Sequence, residues 1–306
     1  MEITSNIEQL ASTWQDSYTD RPVKNPPILK LVQFAFGTAG RLFPGWGAEW
    51  AYRLFSTPRI RARHNSSDPI LESARIFEFL YGKQLLKAYE WGSGDRVILL
   101  VHGWESRGTA LRSFVPTLMK QGFKVVAFDG PAHGNSAGHR TNLPHFAGAI
   151  RAIINQVGGV HGIITHSFGG ASTVFTLRYL APELEVEKLV MIAPPKSIIN
   201  VYREAVNTMK LPKSVAQRFK KILERKVGNR PLEELDQKTA NRAMQVDSIL
   251  LVHDESDPVV SFQGSLQLAE NWENAHLLVT KGYGHYRLMK NPDLVQRIGE
   301  WIGPAH

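Results

Sequence analysis

The sequence predicts an α/β fold: a doubly wound, mostly parallel sheet with helices on its faces. Two observations carry this. Short apolar runs recur at 97–101, 125–128, 163–164, 189–192, 249–252 and 277–279, each bounded by turn residues. Runs without polar alternation suit strands covered on both faces, as in a parallel sheet. Between them lie helix-period patterns, at 110–120, 143–157, 168–180, 262–272 and 292–301. Strand and helix in alternation imply βαβ crossovers. In such sheets, sites form at the carboxyl ends of the strands.

Taken in order, residues 1–73 read as a helical N-terminal extension. Gln33-Phe34-Ala35-Phe36 and the stretch 46–54 carry aromatics at helical spacing. Such a face is expected to pack on the main domain, with a separate partner- or membrane-binding helix as the alternative. Arg59, Arg61, Arg63 and His64 read as a solvated basic surface. The α/β core is expected over 74–194 and 246–306. It opens on a β-hairpin, residues 75–81 and 84–91, flanking Gly82-Lys83. Between 192 and 249 no strand pattern occurs, while 197–209, 214–226 and 231–244 look helical. This interval is too long for a simple crossover, so 195–245 reads as an inserted helical cap. From Lys196 to Arg242, twelve Lys and Arg face five Asp and Glu, a surplus close to the whole chain's +8. The cap's charge admits a solvated surface, attraction of an anionic substrate or membrane surface, or nucleic-acid binding. No nucleic-acid motif accompanies it, so that partner is not expected.

Composition narrows the function classes. The 306 residues are 43% hydrophobic and 21% charged, as in an ordinary globular protein. Without cysteine there is no disulfide, no Cys nucleophile and no thiolate metal site. The N-terminus lacks the basic and apolar regions of a signal peptide. No apolar run approaches the roughly 18 residues that span a bilayer. The nearest, 27–37, is interrupted by Lys30 and Gln33. Cytoplasmic residence is therefore expected. No His-Glu-x-x-His spacing and no phosphate-binding glycine loop occurs, so neither metal nor cofactor is expected.

The strongest local signal is Ile163-Ile164-Thr165-His166-Ser167-Phe168-Gly169-Gly170. An apolar strand runs into a serine, then glycines, then a helix. A serine there sits on a sharp turn with its hydroxyl exposed above the sheet. Small neighbours are needed because the turn brings backbones close. The ordinary alternative is a helix-capping serine. A serine hydroxyl is a weak nucleophile that needs a base, and the base needs an orienting acid. Two later strand ends supply candidates: His253-Asp254-Glu255-Ser256-Asp257-Pro258-Val259-Val260 after 249–252, and Gly282-Tyr283-Gly284-His285-Tyr286 after 277–279. Asp254 and Asp257 compete for the acid.

These segments, with His102-Gly103-Trp104 and Asp129-Gly130-Pro131-Ala132-His133-Gly134-Asn135-Ser136, resemble the α/β-hydrolase superfamily in content and order. The resemblance covers about 75–303. It departs at Thr165, where the elbow motif G-x-S-x-G has glycine. It implies a triad of Ser167, Asp257 and His285, Asp257 being favoured because it directly precedes an apolar-Val turn. It implies an oxyanion hole from the amides of Trp104 and Phe168, and structural roles for His102, Asp129 and His133. A serine argues against the dehalogenases and epoxide hydrolases of this fold, which place Asp at the elbow. The expected activity is that of a carboxylesterase-like hydrolase acting on a small-molecule ester of short to medium acyl chain. Trp104, Phe168, Tyr283, Tyr286 and the cap would line its pocket. A thioesterase, an amidase, a carbon–carbon hydrolase or a non-catalytic ligand-binding member of the fold are the alternatives.

Overall fold

The computed structural model describes residues 7–10, 27–64 and 67–304. Much of the expected N-terminal extension (1–6, 11–26 and 65–66) lies outside them. The chain divides into two compact units, residues 1–13, 58–196 and 237–306 in one, and 14–57 with 197–236 in the other.

The larger unit is built on a nine-stranded sheet: β1 (Ile7–Gln9), β2 (Arg75–Tyr81), β3 (Gln84–Trp91), β4 (Val97–Val101), β5 (Lys124–Phe128), β6 (Gly162–His166), β7 (Glu185–Ile192), β8 (Gln245–Asp254) and β9 (Ala275–Thr280). Their order is β1-β9-β8-β7-β6-β4-β5-β3-β2. The strands β4 to β9 and β1 pair in parallel, and the β2–β3 hairpin adds antiparallel at the β5 edge. Its turn is closed by Gly82 at φ 59°.

The apolar runs explain the layering. Side chains alternate across a strand, so each run feeds both faces. Leu99, Val101, Ile163, Leu189, Met191, Leu251 and Leu277 join one buried layer, with Phe146, Ile150 and Val174 from helices Leu143–Gln156 and Phe168–Phe175. Ile98, Leu100, Ile164, Val190, Ile192, Val252 and Leu278 join the other, with Leu118 and Ile298 from helices Val115–Lys120 and Pro292–Ile302. Each such fully buried side chain contributes about 1.5–3 kcal/mol relative to exposure.

The units depart from the boundaries read from sequence. Residues 237–245 belong with the core, not the cap. Trp272 Nε1 donates to the Gln237 carbonyl at 2.9 Å, and Ala240 and Met244 enter the first apolar layer. The helix expected over 231–244 is two 3₁₀ turns, Leu232–Leu235 and Gln237–Ala243. The N-terminal stretch is not wholly helical either, since β1 extends the sheet beside β9.

The smaller unit is helical: Pro27–Gly37, Ala39–Leu42, Pro44–Phe55, Ile198–Met209 and Lys213–Lys226. Phe36 and Trp50 meet at 4.6 Å between ring centroids, and Phe55 meets the buried Phe219 at 5.5 Å. Gly47 lets two helices approach closely. A Cβ there would stand 3.1 Å from Val215 Cγ2 and 3.3 Å from the Gly40 Cα. Among the described residues no helix is long and apolar enough to cross a membrane.

Candidate active site

The chain runs from β4 outward to β5, then crosses back to place β6 on the other side of β4. The β4–β6 pair is thus the topological switch point, where the loops diverge and leave a crevice. Ser167 follows β6 and Trp104 follows β4.

Ser167 has φ 52° and ψ −121°, a backbone state that costs a non-glycine residue about 1–3 kcal/mol. The turn is held from both sides. The Ser167 N–H donates to the Ile192 carbonyl at 2.9 Å, and its own carbonyl accepts from Gly170 at 2.9 Å. A Cβ at Gly169 would stand 2.5 Å from the His102 oxygen and 2.6 Å from the Val101 oxygen, so only glycine seats the helix here. Thr165, the departure from the elbow motif, is accommodated. Its buried hydroxyl donates to the Val190 carbonyl at 3.1 Å. A Cβ at Gly170 would stand 3.2 Å from that hydroxyl, so Gly170 leaves it room.

The loop after β4 lies against the elbow. A Cβ on Gly103 would stand 3.0 Å from His166 Nδ1 and 3.3 Å from the Ser167 Cβ. The N–H of Phe168 opens its helix and so has no carbonyl partner within it. The rings of Trp104 and Phe168 meet edge to face at 5.3 Å. Phe146 backs Phe168 at 5.2 Å. His102 braces this loop as the resemblance implied. Its Nε2 accepts from the Gly130 N–H at 2.9 Å and its Nδ1 donates to the Gly103 carbonyl at 2.7 Å.

The acid and base candidates meet. His285 Nδ1 donates to Asp257 Oδ2 at 2.7 Å. The other carboxylate oxygen accepts from the Val259 and Val260 amides at 2.7 and 2.9 Å. Burial alone would raise the Asp257 pKa. The bonds from His253 and His285, the electrostatic pull of His285 and the Val260 amide outweigh it and hold the carboxyl well below its ordinary range. The His285 ring lies 4.7 Å from the ring of His166, the residue before Ser167.

Asp254 has a different task. It accepts from Ser256 N–H (2.9 Å), Thr280 hydroxyl (2.8 Å), Gly282 N–H (3.2 Å) and Tyr283 N–H (2.9 Å). It ties the loop after β8 to the loop after β9, and so holds Asp257 opposite His285. His253 escaped the sequence reading. Its Nε2 lies 3.1 Å from the Val260 carbonyl and 3.2 Å from Asp257 Oδ2, both acceptors, so Nε2 carries the proton. Ser265 Oγ meets its Nδ1 at 2.7 Å. Only its place four residues before Asp257 could have signalled this.

Two buried histidines link the site to acid stability. Burial, then the neighbouring His133, lowers the His102 pKa to about 3. Burial, then His285, lowers that of His166 to about 3. Both stay neutral in the folded protein, whereas the unfolded chain protonates them below about pH 6.5. Across that window the unfolded state binds more protons, so stability falls as pH falls. The urea midpoint should therefore drop between about pH 7.5 and about pH 5. A constant midpoint would contradict these assignments. The depressed carboxylate of Asp257 adds its own loss only below about pH 3.9, where the unfolded Asp protonates.

The stretch 59–64 is exposed at Arg59, Arg61 and Arg63, as its charge suggests, but His64 turns inward. His64 Nε2 pairs with the buried Asp129 at 2.9 Å. Arg61 donates to the carbonyls of Ser136 and Gly138 at 3.1 and 2.7 Å, and Arg59 binds Glu105, next to Trp104. Asp129 also accepts from Gly108 N–H (2.7 Å), Asn135 N–H (2.8 Å) and Tyr89 hydroxyl (2.8 Å). Arg59, Arg61 and His64 thus staple the loops after β4 and β5. A buried donor left without its acceptor costs about 1–3 kcal/mol, and Asp129→Ala strands several, so it should lose about 3 kcal/mol or more in denaturant unfolding. A loss below about 1 kcal/mol would mean the network is not structural.

Of the aromatics picked from sequence, Tyr286 is 57% exposed with its ring 4.9 Å from His285 and 6.0 Å from His166. Tyr283 is different. It is 3% exposed and belongs to the second apolar layer of the core, so its side chain is not a pocket wall. Among the described residues no group of three or more His, Asp or Glu could hold a metal ion.

Comparison with known proteins agrees with this architecture. The chain is 32% identical over 136 residues to a bifunctional esterase/perhydrolase of Acinetobacter calcoaceticus, covering 41% of this chain and 46% of that protein. It is 32% identical over 112 residues to a non-heme haloperoxidase of Rhodococcus erythropolis, covering 35% and 40%. It thus spans less than half the length of these curated relatives. Among solved structures, a Pyrococcus furiosus esterase superposes with TM-score 0.61 at 19% identity, over 81% of this chain and 97% of that one. The thioesterase domain from the curacin biosynthetic pathway gives 0.54 at 17% identity, over 75% and 99%. At such identities the likeness is one of fold. A model of the alpha/beta hydrolase family matches residues 98–297, a stretch that contains the β4–β6 switch point, the strained Ser167 and the Asp257–His285 pair, and by that match the chain belongs to the alpha/beta hydrolase family.

Proposed function

We propose that the protein is a serine hydrolase that cleaves carboxylic esters through an acyl-enzyme on Ser167. The observation that carries the reading is the 2.7 Å bond from His285 Nδ1 to an ionised Asp257. With the Nδ1 proton held there, Nε2 is left as the lone-pair nitrogen, able to act as a base.

In this reading Ser167 Oγ attacks the acyl carbon as His285 Nε2 takes its proton. Asp257 holds and stabilises the imidazolium. The amides of Trp104 and Phe168 donate to the oxyanion, where preorganised donors need no reorganisation. The C–O bond then breaks and His285 gives its proton to the departing alcohol. Water, deprotonated by His285, attacks the acyl carbon and releases the acid, restoring Ser167. Trp104, Phe168 and Tyr286 line the acyl pocket. Rings braced edge to face make a stiff wall, which supports short to medium acyl chains.

The names of the similar proteins support ester chemistry, with a thioester as an alternative for the same residues. The test is a panel of p-nitrophenyl esters from acetate to palmitate, with a matched thioester and anilide. Turnover of esters that peaks at short or medium chains is expected. Absence of turnover on every ester would sink the esterase reading, and preference for the thioester would move it to a thioesterase.

A further inference from the structure

Among its described residues, the smaller unit carries an exposed apolar surface. Ile28, Leu31, Phe34, Leu42, Phe43 and Trp46 are each 57–76% exposed. Scattered exposed apolar residues are normal, but six bulky ones between residues 28 and 46 are not. Ile28, Leu31 and Phe34 recur three apart along helix Pro27–Gly37, so they share one face. Leu42, Phe43 and Trp46 cluster at the turn between the next two helices. The opposite side is what holds the unit together: Phe36, Gly40, Ala48 and Ala51 are buried.

The same unit is basic. Across 27–57 and 197–236, twelve Lys and Arg face six Asp and Glu, a net +6 of the chain's +8. Three of these cations are placed beside the apolar turn. Arg218, Lys221 and Arg225 line a concavity with Gly45 and Ala48, which flank Trp46 in its helix; Glu49 and Glu224 also line it. Arg218, Lys221 and Arg225 stand three and four residues apart on helix Lys213–Lys226, so they form one exposed stripe.

Bulky apolar side chains next to a row of cations match the two-layer chemistry of an anionic lipid surface. The apolar groups enter the boundary beneath the headgroups while Lys and Arg meet the phosphates. We propose that this face docks the protein on an anionic bilayer surface. A second copy of the chain fits less well, because a two-fold contact through this face would set its cations against one another. The inference rests on the surface of the smaller unit alone and is independent of the ester chemistry.

Sedimentation of the full chain with vesicles tests it. Vesicles of phosphatidylcholine alone are compared with vesicles of equal parts phosphatidylcholine and phosphatidylglycerol. Binding to the anionic vesicles is expected, weakened about tenfold or more at about 0.5 M salt. Phe43→Ser/Trp46→Ser and Arg218→Gln/Lys221→Gln/Arg225→Gln should each weaken it about tenfold. All five side chains are exposed, and an unchanged thermal unfolding curve shows that the fold is kept. Failure of the wild type to bind anionic vesicles, or equal binding by both variants, would overturn the proposal. So would a concentration-dependent dimer lost in Phe43→Ser/Trp46→Ser, which would assign the face to a second copy.

Discussion

Replacing Ser167 by alanine is expected to lower kcat on p-nitrophenyl butyrate by about 10⁵-fold or more, with little change in stability. The residue is half-buried and its backbone, not its hydroxyl, makes the bonds that hold the elbow. Alanine meets the same strain at φ 52° as serine, so the turn is no worse off. What disappears is the atom that, in the proposed mechanism, forms the bond to the acyl carbon. Residual rate would come from donors and water held at the crevice. A variant that kept more than about 1% of kcat would mean that another group or a bound water is the nucleophile.

The second large effect is expected from Asp257→Asn, about 10⁴-fold in kcat. Four donors converge on the carboxylate: the Val259 and Val260 amides on one oxygen, His285 and His253 on the other. An asparagine can keep its oxygen on the two amides. Its NH₂ group then faces His285 Nδ1 and can be satisfied only if that nitrogen accepts. The His285 proton moves to Nε2, the position that must be bare to receive the Ser167 proton. The same NH₂ group also meets the proton on His253 Nε2, whose other acceptor is the Val260 carbonyl. Activity should recover partly at high pH, where hydroxide can replace the blocked imidazole as base. Asp254→Asn is the informative companion. It should act through loss of stability, because its four donors hold two loops together rather than touching His285. Equal losses of kcat at unchanged stability in both variants would break the distinction between the two aspartates.

Much of the sheet was legible because each apolar run had to serve two faces at once. Leu99 and Leu100 go to opposite layers, as do Ile163 and Ile164, so no alternation marks the strands and length and turn residues must. Strand β1 was not legible, since three residues carry no period. The cap's end was misplaced because Ala240 and Met244 look equally apolar whether they close a cap or a core. The strained turn at Ser167 and the pairing of Asp257 with His285 were legible, because residue type and order mark them. The site was not legible where partners are far apart in sequence. His64 reads as one more basic residue until folding sets it against Asp129, 65 residues on. His253 reads as one of eleven histidines until its Nε2 meets Asp257.

The central claim is that Ser167 is activated by His285. A fluorophosphonate probe tests it directly, because phosphonylation needs a serine with a working base and an oxyanion site. Intact-mass measurement should show one adduct per chain, and peptide mapping should place it on Ser167. Labelling should be abolished in Ser167→Ala and slowed about 10³-fold or more in Asp257→Asn. No adduct on the folded wild type, or an adduct on any other residue, would contradict the account.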